Sequence, residues 1–282
     1  MLIHTFLHLP GIGPATEWAL WERGIATWEH LAKTLPRLGF PVSLSAELYA
    51  SRDRLARGDA DWFHARLPPS ERWRLFADFR ERALFLDIET TGLSPASGGY
   101  LTVVGTYDGR EYRAFIRGKN LHQLPRELER YRLLVTYNGA RFDVPFLEAE
   151  LGPVVRHMAH IDLMYPLRRL GLRGGLKKVE REAGLARPSA LEGLDGSDAV
   201  RMWVEYQRGH REALDTLVRY NAEDVVVLEG LAVRVYNSLA GALPLGVKPL
   251  AEPPRPHLDL PFSIEVVERL KAQKGWSWMD GP

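Results

Sequence analysis

The sequence predicts an α/β protein, in which a mixed five-stranded sheet is flanked by helices and preceded by a small helical region. Strand-like apolar runs begin only at Ala83, and beyond that point they alternate with segments of helical periodicity. A third observation is the cluster of prolines after Gly241. We therefore divide the 282 residues into a helical N-terminal region (1–82), a sheet domain (83–240) and a Pro-rich C-terminal tail (241–282).

The composition excludes several classes of protein. Hydrophobic residues make up 45% and charged residues 26% of the chain, which is typical of a globular protein. The absence of cysteine excludes disulfides, zinc–thiolate sites and thiol catalysis. Pro10 and Gly11 interrupt the first apolar stretch, and no run approaches the roughly 18 apolar residues that a membrane span needs. We expect a soluble, cytoplasmic protein without a membrane partner.

The N-terminal region shows helical spacing over most of its length. The turn LPGIGP (Leu9–Pro14) is followed by tryptophans and leucines at intervals of three and four residues. From Ser45 to Arg82 a similar apolar stripe predicts two helices. They are expected to break at Pro68-Pro69, because proline removes a helical hydrogen bond.

Each element of the sheet domain is predicted from a switch between strand and helix periodicity. The predicted strands cover residues 83–89, 100–108, 111–117, 132–137 and 160–163. The second and third strands flank an Asp-Gly-Arg turn and predict an antiparallel hairpin. The main predicted helices cover residues 121–130, 142–151 and 211–239, with a short helix at 263–274 in the tail.

Asp87 and Glu89 lie two residues apart at the end of the first predicted strand. Period-2 geometry places both carboxylates on one face of the sheet, where apolar neighbours would leave them repelling each other. A hard divalent cation would offset that repulsion, because such ions prefer carboxylate oxygens. The alternative is a solvated strand end that leads into the turn TTGLSP.

Asp143 and Asp224 are two further candidate acids. Asp143 opens a predicted helix after an Asn-Gly turn, where an Asp can alternatively cap free backbone N–H groups. Asp224 lies in the longest predicted helix, one turn after Tyr220, so the two side chains share a face. The valines after Asp224 predict a core-facing carboxylate. The alternative is that Asp224 and Glu223 are solvated.

Together these motifs resemble those of the DEDD superfamily of 3′–5′ exonucleases, in its Tyr-containing branch. DIETTGL is similar to the first exonuclease motif, YNGARFDVPFL to the second as it occurs in family B polymerase proofreading domains, and YNAED to the third. The resemblance covers residues 83–239. The segments HIDLMYPLRR, LKKVEREAGL and LDGSDAVRMWVEY further resemble the YprB-like bacterial group of predicted exonucleases.

The resemblance implies a ribonuclease H-like fold and hydrolysis of phosphodiester bonds with two divalent ions, Mg²⁺ or Mn²⁺. The family's metal ligands match Asp87, Glu89, Asp143 and Asp224, and its catalytic tyrosine matches Tyr220. The Tyr220 hydroxyl would orient the attacking water rather than deprotonate it, because a phenol of pKa about 10 is a poor base at neutral pH. These five residues form the predicted catalytic set.

The same resemblance implies contacts with the terminal nucleotide of the substrate. Thr90, Gly92 and Leu93 would touch that nucleotide, with Leu93 as an apolar wedge. Asn138 and Phe142 would line its pocket. For Leu93 and Phe142 the alternative is simple packing.

Phosphate affinity must come from a local patch, because the formal net charge is only +1. Segment 168–187 carries seven basic and two acidic residues, and glycines break it into a loop that enters a helix. Backbone N–H groups at the start of that helix, together with Lys177 and Lys178, would bind phosphates. The alternative is a solvated helix face.

The LPGIGP turn resembles one helix-hairpin-helix unit, which contacts the DNA backbone without reading sequence. Residues 1–8 are very short for the first helix of such a unit. Such units also usually act in pairs, and the sequence contains one. A structural cap on the sheet domain is an equal alternative.

The predicted function is a metal-dependent 3′–5′ exonuclease acting on nucleic acid, with the single-stranded 3′ end of DNA favoured and RNA left open. Contacts with the 2′ hydroxyl separate DNA from RNA, and the motifs do not reveal them. One alternative is a non-catalytic module that binds nucleic acid or a helicase; another is an RNase H-type endonuclease. The Pro-rich tail would be a linker, a partner-binding segment or a strap on the fold.

Overall fold

A five-stranded sheet lies at the centre of the protein, whose computed structural model describes residues 1–185 and 189–277. The strands are β1 (Ala83–Thr90), β2 (Leu101–Tyr107), β3 (Tyr112–Ile116), β4 (Leu133–Thr136) and β5 (Ala159–Asp162). Their order across the sheet is β3-β2-β1-β4-β5. All five correspond to predicted strands.

β1 joins the antiparallel and parallel halves of this sheet. It pairs antiparallel with β2 and parallel with β4, and β4 pairs parallel with β5. β2 and β3 form the predicted hairpin, in whose turn Asp108 Oδ1 accepts from the amides of Arg110 (3.0 Å) and Glu111 (2.9 Å). The predicted fold class, a mixed five-stranded sheet flanked by helices, is confirmed.

Helices cover both faces of the sheet. In the N-terminal region they are α1 (Pro14–Glu22), α2 (Trp28–Leu38), α3 (Ser43–Ala56), α4 (Ala60–Arg66) and α5 (Phe76–Phe79). Further along the chain they are α6 (Leu124–Leu128), α7 (Asp143–Leu151), α8 (Met164–Arg169), α9 (Leu176–Glu182), α10 (Gly196–Gln207), α11 (Arg211–Gly241) and α12 (Ile264–Ser277). In the part of the chain that the structure describes, no helix is both long and apolar enough to cross a membrane.

The alternation of β1 divides its apolar side chains between two cores. Ala83 and Phe85 pack with α11 and the N-terminal region. Leu84, Leu86 and Ile88 pack with α6 and α7 on the opposite face. The same alternation places Asp87 and Glu89 on the face of Ala83 and Phe85.

The N-terminal region shares its core with the sheet. Phe6, Trp28 and Phe63 are buried in the same apolar cluster as Phe85 of β1 and Val225 of α11. Burying large side chains in one continuous cluster is the main favourable term for holding such elements together. The helical N-terminal region therefore packs directly on the sheet.

The predicted break at Pro68-Pro69 is present, since α4 ends at Arg66 and the next helical turn begins at Pro69, but the segment 45–82 also contains an earlier break that was not predicted. α3 ends at Ala56, and Gly58 takes φ 71°, a left-handed conformation that favours glycine. After the second break the prolines open a 3₁₀ helix, Pro69–Leu75, in which Pro69 occupies a first-turn position that needs no amide donor.

The LPGIGP turn is followed by α1 but is not preceded by an α-helix. Before it, Leu2–His4 form a single 3₁₀ turn. Leu9 and Ile12 of the turn are buried in the main core. These are the contacts of a structural cap, and binding of the DNA backbone by this turn stays a prediction.

α11 is the long predicted helix, and it continues to Gly241 over 31 residues. The Pro-rich tail is strapped along it. The Asn237 side chain exchanges hydrogen bonds of 2.9 and 2.7 Å with the backbone of Leu250, and Arg219 Nη1 donates to the Leu258 carbonyl at 2.9 Å. Of the alternatives for the tail, the structure has the strap.

Candidate active site

The alternation of β1 brings Asp87 and Glu89 to the face that α11 covers. Ala83 and Phe85 occupy this row first, so two apolar side chains precede two carboxylates toward the end of the strand. Glu89 is buried and Asp87 is half-buried. The strand thus delivers a carboxylate pair into a largely apolar layer.

α11 forms the opposite wall of the site. Tyr220 and Asp224 are both buried and lie one helical turn apart. Glu223 is buried as well, where its carboxylate accepts from Arg219 Nε at 2.9 Å and pairs with Arg255 of the tail. The alternative of a solvated Glu223 and Asp224 is not what the structure has.

Asp87, Glu89 and Asp224 meet in one group. Each offers a carboxylate oxygen, and these oxygens all lie within 4.8 Å of one another. Burial, reinforced by neighbouring carboxylates, raises the pKa of Asp87 well above its ordinary value and raises the pKa of Glu89 to about 8. A buried group of like charges is costly without a cation, and Mg²⁺ and Mn²⁺ prefer such oxygens. The three residues therefore fit a divalent metal centre.

Asp143 approaches this group from the other layer of the fold. It is the first residue of α7, whose Phe146 and Leu147 pack on the opposite face of the sheet, and the cap position belongs to Phe142. After burial, the charge of Asp143 is the largest cause of the raised pKa of Asp87. Burial also raises the pKa of Asp143 to about 7. Asp143 is thus part of the acidic cluster, although it lies outside the group of three.

Asn221 is a site residue that the motif comparison missed. Its Nδ2 donates to Asp87 Oδ2 at 3.1 Å and lies 3.4 Å from Glu89 Oε1, while its Oδ1 accepts from the Tyr112 hydroxyl at 2.9 Å. A neutral amide thus bridges the strand carboxylates and ties them to β3. The signal was its position three residues before Asp224, which places both on one helix face.

Gly105 of β2 leaves room for this bridge. A Cβ built on Gly105 would lie 1.8 Å from Asn221 Oδ1 and 2.9 Å from Tyr112 Cε2, which no real packing allows. Gly105 also pairs with Asp87 in the sheet. The space that a side chain at position 105 would fill is therefore directly beside Asp87.

We expect Gly105→Ala to displace Asn221 and so to loosen the carboxylate pair. Overpacking of this kind costs about 1–3 kcal/mol, and loss of a partner behind the metal ligands lowers metal affinity roughly 10- to 100-fold. Thermal unfolding and calorimetric titration with Mn²⁺ measure the two effects. Gly241→Ala is the matched control, because nothing lies within 4 Å of its added Cβ. Unchanged Mn²⁺ affinity in Gly105→Ala would show that Asn221 does not position the acids.

The raised pKa of Glu89 makes the stability of the metal-free protein depend on pH. Folded Glu89 keeps its proton up to a pH of about 8, whereas its ordinary value is 4.5. Between these values the folded state binds more protons than the unfolded chain, so its stability falls as the pH rises through this range. Glu89→Gln removes this dependence.

We expect metal-free Glu89→Gln to unfold at a higher temperature than the wild type, by about 5 °C at pH 9 and by much less at pH 5. Histidine titration is common to both proteins and cancels in the difference. Scanning calorimetry in EDTA measures the gap, and Mn²⁺ at pH 9 is expected to narrow it because the wild type binds the ion more tightly. A gap that stays constant with pH would contradict the shifted pKa.

Lys177 and Lys178 of α9 point in different directions. The Lys177 ammonium donates to the Tyr220 hydroxyl and to the Leu194 carbonyl, and it lies 4.3 Å from the centroid of the Tyr220 ring. Its charge partly offsets that of the acidic cluster. Lys178 is instead exposed, 3.6 Å from Glu182. Of the two predicted phosphate ligands, only Lys177 lies at the acids.

Two other basic residues of segment 168–187 have different surroundings. Arg169 pairs with Glu71 of the N-terminal region at 2.9 Å, and Arg181 is exposed. Arg187 lies outside the described residues. Phosphate contact by this segment stays a prediction, and Lys177 is the residue of it that the structure places at the acids.

Thr90, Gly92 and Leu93 lie where β1 ends and turns away from the sheet. Thr90 is buried, and its Oγ1 accepts from the Gly92 amide at 3.1 Å. Gly92 takes φ 83°, a conformation that favours glycine. Leu93 is 55% exposed, so an apolar side chain stands in solvent four residues after Glu89. Exposure of this degree does not match the packing alternative.

Asn138 and Phe142 lie on the loop between β4 and α7. Asn138 has φ 63°, and its amide donates to Asp162 Oδ1 at 2.7 Å. The amide of Ala140 donates to Asp162 Oδ2 at 3.1 Å. Phe142 is 43% exposed and packs 5.3 Å, centroid to centroid, from Phe146. Asp162, which the motif comparison missed, thus holds this loop, and its place at a strand end was the available signal.

The family to which the chain belongs follows from its sheet domain. A family model of the RNase H superfamily matches residues 84–236, which is more than half of the chain. The protein is therefore a member of the RNase H superfamily. The match includes β1 to β5 and most of α11, and with them Asp87, Glu89, Asp143 and Asp224.

Two solved structures are similar to part of the chain. The family B DNA polymerase of the hyperthermophilic archaeon Pyrobaculum calidifontis is 20% identical with a TM-score of 0.44, covering 58% of this chain and 26% of the polymerase. This chain thus spans about a quarter of the polymerase. A nuclease in its apo form is 22% identical with a TM-score of 0.42, covering 57% of this chain and 75% of the nuclease. The comparison with curated proteins found no significant match.

Proposed function

We propose that the protein is a metal-dependent 3′–5′ exonuclease of the DEDD superfamily, Tyr-containing branch, in its YprB-like group. Its substrate is a single-stranded 3′ end, with DNA favoured. The observation that carries this proposal is the group formed by Asp87, Glu89 and Asp224, whose oxygens lie within 4.8 Å of one another, with Asp224 one turn after Tyr220 on α11. Membership of the RNase H superfamily supports it.

Asp87, Glu89 and Asp224 would hold the divalent ions, Mg²⁺ or Mn²⁺, with Asp143 completing the acidic cluster. When bound, such ions stabilise negative charge on the phosphate and lower the pKa of water. The Asn221 amide keeps two of the carboxylates in place from behind. The raised pKa values of Asp87 and Glu89 indicate that a bound cation would stabilise the ionised form of these carboxylates.

Tyr220 orients the attacking water in this proposal. Lys177 donates to the Tyr220 oxygen, so the hydroxyl proton is directed elsewhere and can be donated to a water or a phosphate oxygen. The Lys177 ammonium also adds positive charge beside the acids, where the scissile phosphate would lie. Tyrosine and lysine act here as positioning groups rather than as bases.

Leu93 and Phe142 suggest how the terminal nucleotide is held. Both are apolar and unusually exposed, at 55% and 43%, on the loops that follow β1 and β4. Exposed apolar side chains near an acidic cluster can pack against the flat face of a nucleobase. Every nucleobase has such a face, so this contact does not depend on the sequence of the nucleic acid. Thr90 and Asn138 shape the two loops, and Gly92 lets one of them turn.

We further propose that residues 83–240 form the catalytic unit, with residues 1–82 and the tail as supports. The shared core between Phe63 and Phe85 and the strap along α11 favour this division of labour. The supports would keep the sheet rigid while the loops at the strand ends meet the substrate.

The test is to incubate single-stranded and double-stranded DNA and RNA, labelled at either end, with Mg²⁺, Mn²⁺ or EDTA. A 3′–5′ exonuclease releases mononucleotides at once from the 3′ label and shortens 5′-labelled strands stepwise. Cuts within circular or end-blocked DNA would instead identify an endonuclease. Binding without metal-dependent release of nucleotides would leave a non-catalytic module and reject the proposed activity.

A further inference from the structure

A separate cavity of about 350 Å³ lies between the N-terminal region and the sheet domain. The 3₁₀ helix Pro69–Leu75 forms one side of it, and the end of β5 with α8 forms the other. Both aromatic and charged side chains line the cavity: Trp73 and Tyr165 are aromatic, and Arg72 and Asp162 are charged. This volume is within the range of sites for small organic ligands.

Arg72 brings a positive charge to this cavity that no carboxylate neutralises within residues 1–185 and 189–277. Its Nε is buried without a hydrogen-bond partner, and no ion pair of Arg72 occurs in that part of the chain. Arg74, two residues later, is by contrast paired with Glu17 at 2.8 Å and with Glu71 at 2.9 Å. A half-buried guanidinium without an acid is costly unless an anion completes it.

Two half-buried histidines lie near Arg72 and respond to its charge. His64 of α4 and His160 of β5 both have pKa values lowered to about 4, first by burial and then by the charge of Arg72. His64 Nε2 is a second buried nitrogen without a partner in the described residues. Both imidazoles are uncharged at neutral pH, and His160 Nε2 is paired with Thr136 Oγ1 at 2.8 Å, so the positive charge that would attract an anion to this cavity is that of Arg72.

Asp162 is the acid on the opposite wall, and its charge is largely committed to backbone donors. Its carboxylate accepts from the amides of Asn138 (2.7 Å), Ala140 (3.1 Å) and Met164 (3.0 Å). Asp162 also contributes to the raised pKa of Asp143, after burial. The cavity therefore adjoins the loop that leads into Asp143 of the acidic cluster.

The apolar part of the cavity suits a flat ring. Tyr165 of α8 is 44% exposed although it is aromatic, and Trp73 also lines the cavity. Aromatic side chains that stand partly in solvent are the platforms on which nucleobases stack, and a nearby guanidinium is the usual phosphate partner.

We propose that this cavity binds one nucleotide, with its phosphate on Arg72 and its base against Tyr165. The inference rests on the proposed function in one respect, since the nucleotide would be an upstream unit of the strand whose 3′ end reaches the acids. A free nucleoside monophosphate has the same chemistry, so the experiment separates the two sources.

Binding is measured without turnover, in Ca²⁺, by fluorescence anisotropy of 5′-labelled oligothymidylates of three and twelve nucleotides. Tyr165→Ala is expected to weaken binding of the longer strand by about five- to a hundredfold, the range for one lost stacking contact. Arg72→Gln is expected to weaken it as well and to lower the slope of log affinity against log salt by about 0.7, the value for one phosphate contact on a single strand. Affinity for the trinucleotide stays the same.

The matched controls are Tyr49→Ala and Arg37→Gln, since both residues are exposed on the N-terminal helices and neither lines the cavity. Titration with thymidine monophosphate, followed by tryptophan fluorescence, forms the second arm. Loss confined to the long strand supports the strand as the source, and loss confined to the mononucleotide supports a free nucleotide.

If Tyr165→Ala bound both the twelve-nucleotide strand and thymidine monophosphate with unchanged affinity, the proposal would be overturned. This result would hold even if Arg72→Gln failed to fold. Since no step of this test requires hydrolysis, a protein that binds through the cavity but cuts nothing would reject the nuclease activity alone.

Discussion

Asp224→Asn is expected to release nucleotides from a 3′-labelled strand about a thousandfold more slowly than the wild type. The substitution removes one of three carboxylate charges that meet within 4.8 Å. Bound metal ions contribute several kcal/mol of transition-state stabilisation, and each 1.36 kcal/mol is a factor of ten in rate. Single-turnover rates with Mg²⁺ and with Mn²⁺ give the measurement.

The fold is expected to survive this change, because Asn has the shape of Asp and relieves repulsion with Asp87 and Glu89. The melting temperature without metal should therefore be equal to that of the wild type or higher. Asp215→Asn, on the exposed side of the same helix, is the matched control and should keep full activity. Wild-type turnover by Asp224→Asn would remove this cluster from the mechanism.

Tyr220→Phe is expected to lower kcat about a hundredfold and to leave KM within a few-fold of the wild type. Positioned proton donors and acceptors contribute about 10²- to 10⁴-fold in enzymes, and the lower end suits a group that orients water without taking its proton. The ring stays in place, and Lys177 keeps the Leu194 carbonyl as a partner. Binding of the strand should therefore change little.

Steady-state kinetics on a single-stranded substrate separate the two parameters. Tyr49→Phe is the control, since that residue is 72% exposed in the N-terminal region. A rise in KM with kcat unchanged would mean that Tyr220 only binds substrate, and equal rates would exclude it from catalysis.

Local spacing was sufficient to predict the fold class and the positions of the strands. The alternation of Ala83 to Glu89 places the acids on one face because successive side chains of any strand point in opposite directions. The interval between Tyr220 and Asp224 places them on one helix face for a comparable reason. These relations depend on backbone geometry within one element, so a single sequence reveals them.

Residue spacing did not predict which residues of remote segments lie close together, because packing between elements decides those contacts. Asp143 reaches the acids from the opposite layer because Phe146 and Leu147 bury α7 there. Asn221 contacts Asp87 because Gly105 has no side chain to block it. The spacing of residues within α11 could not predict this contact, since Gly105 belongs to another element.

The division of roles between Lys177 and Lys178 has the same origin. Adjacent residues of a helix point about 100° apart, but only the position of α9 against α11 decides which of the two meets Tyr220. The place of the tail was also decided by tertiary structure, since Pro-rich composition is equally compatible with a linker and with the strap that Leu250 helps to fasten. Periodicity specifies which way a side chain points within its element, and packing between elements specifies what it meets.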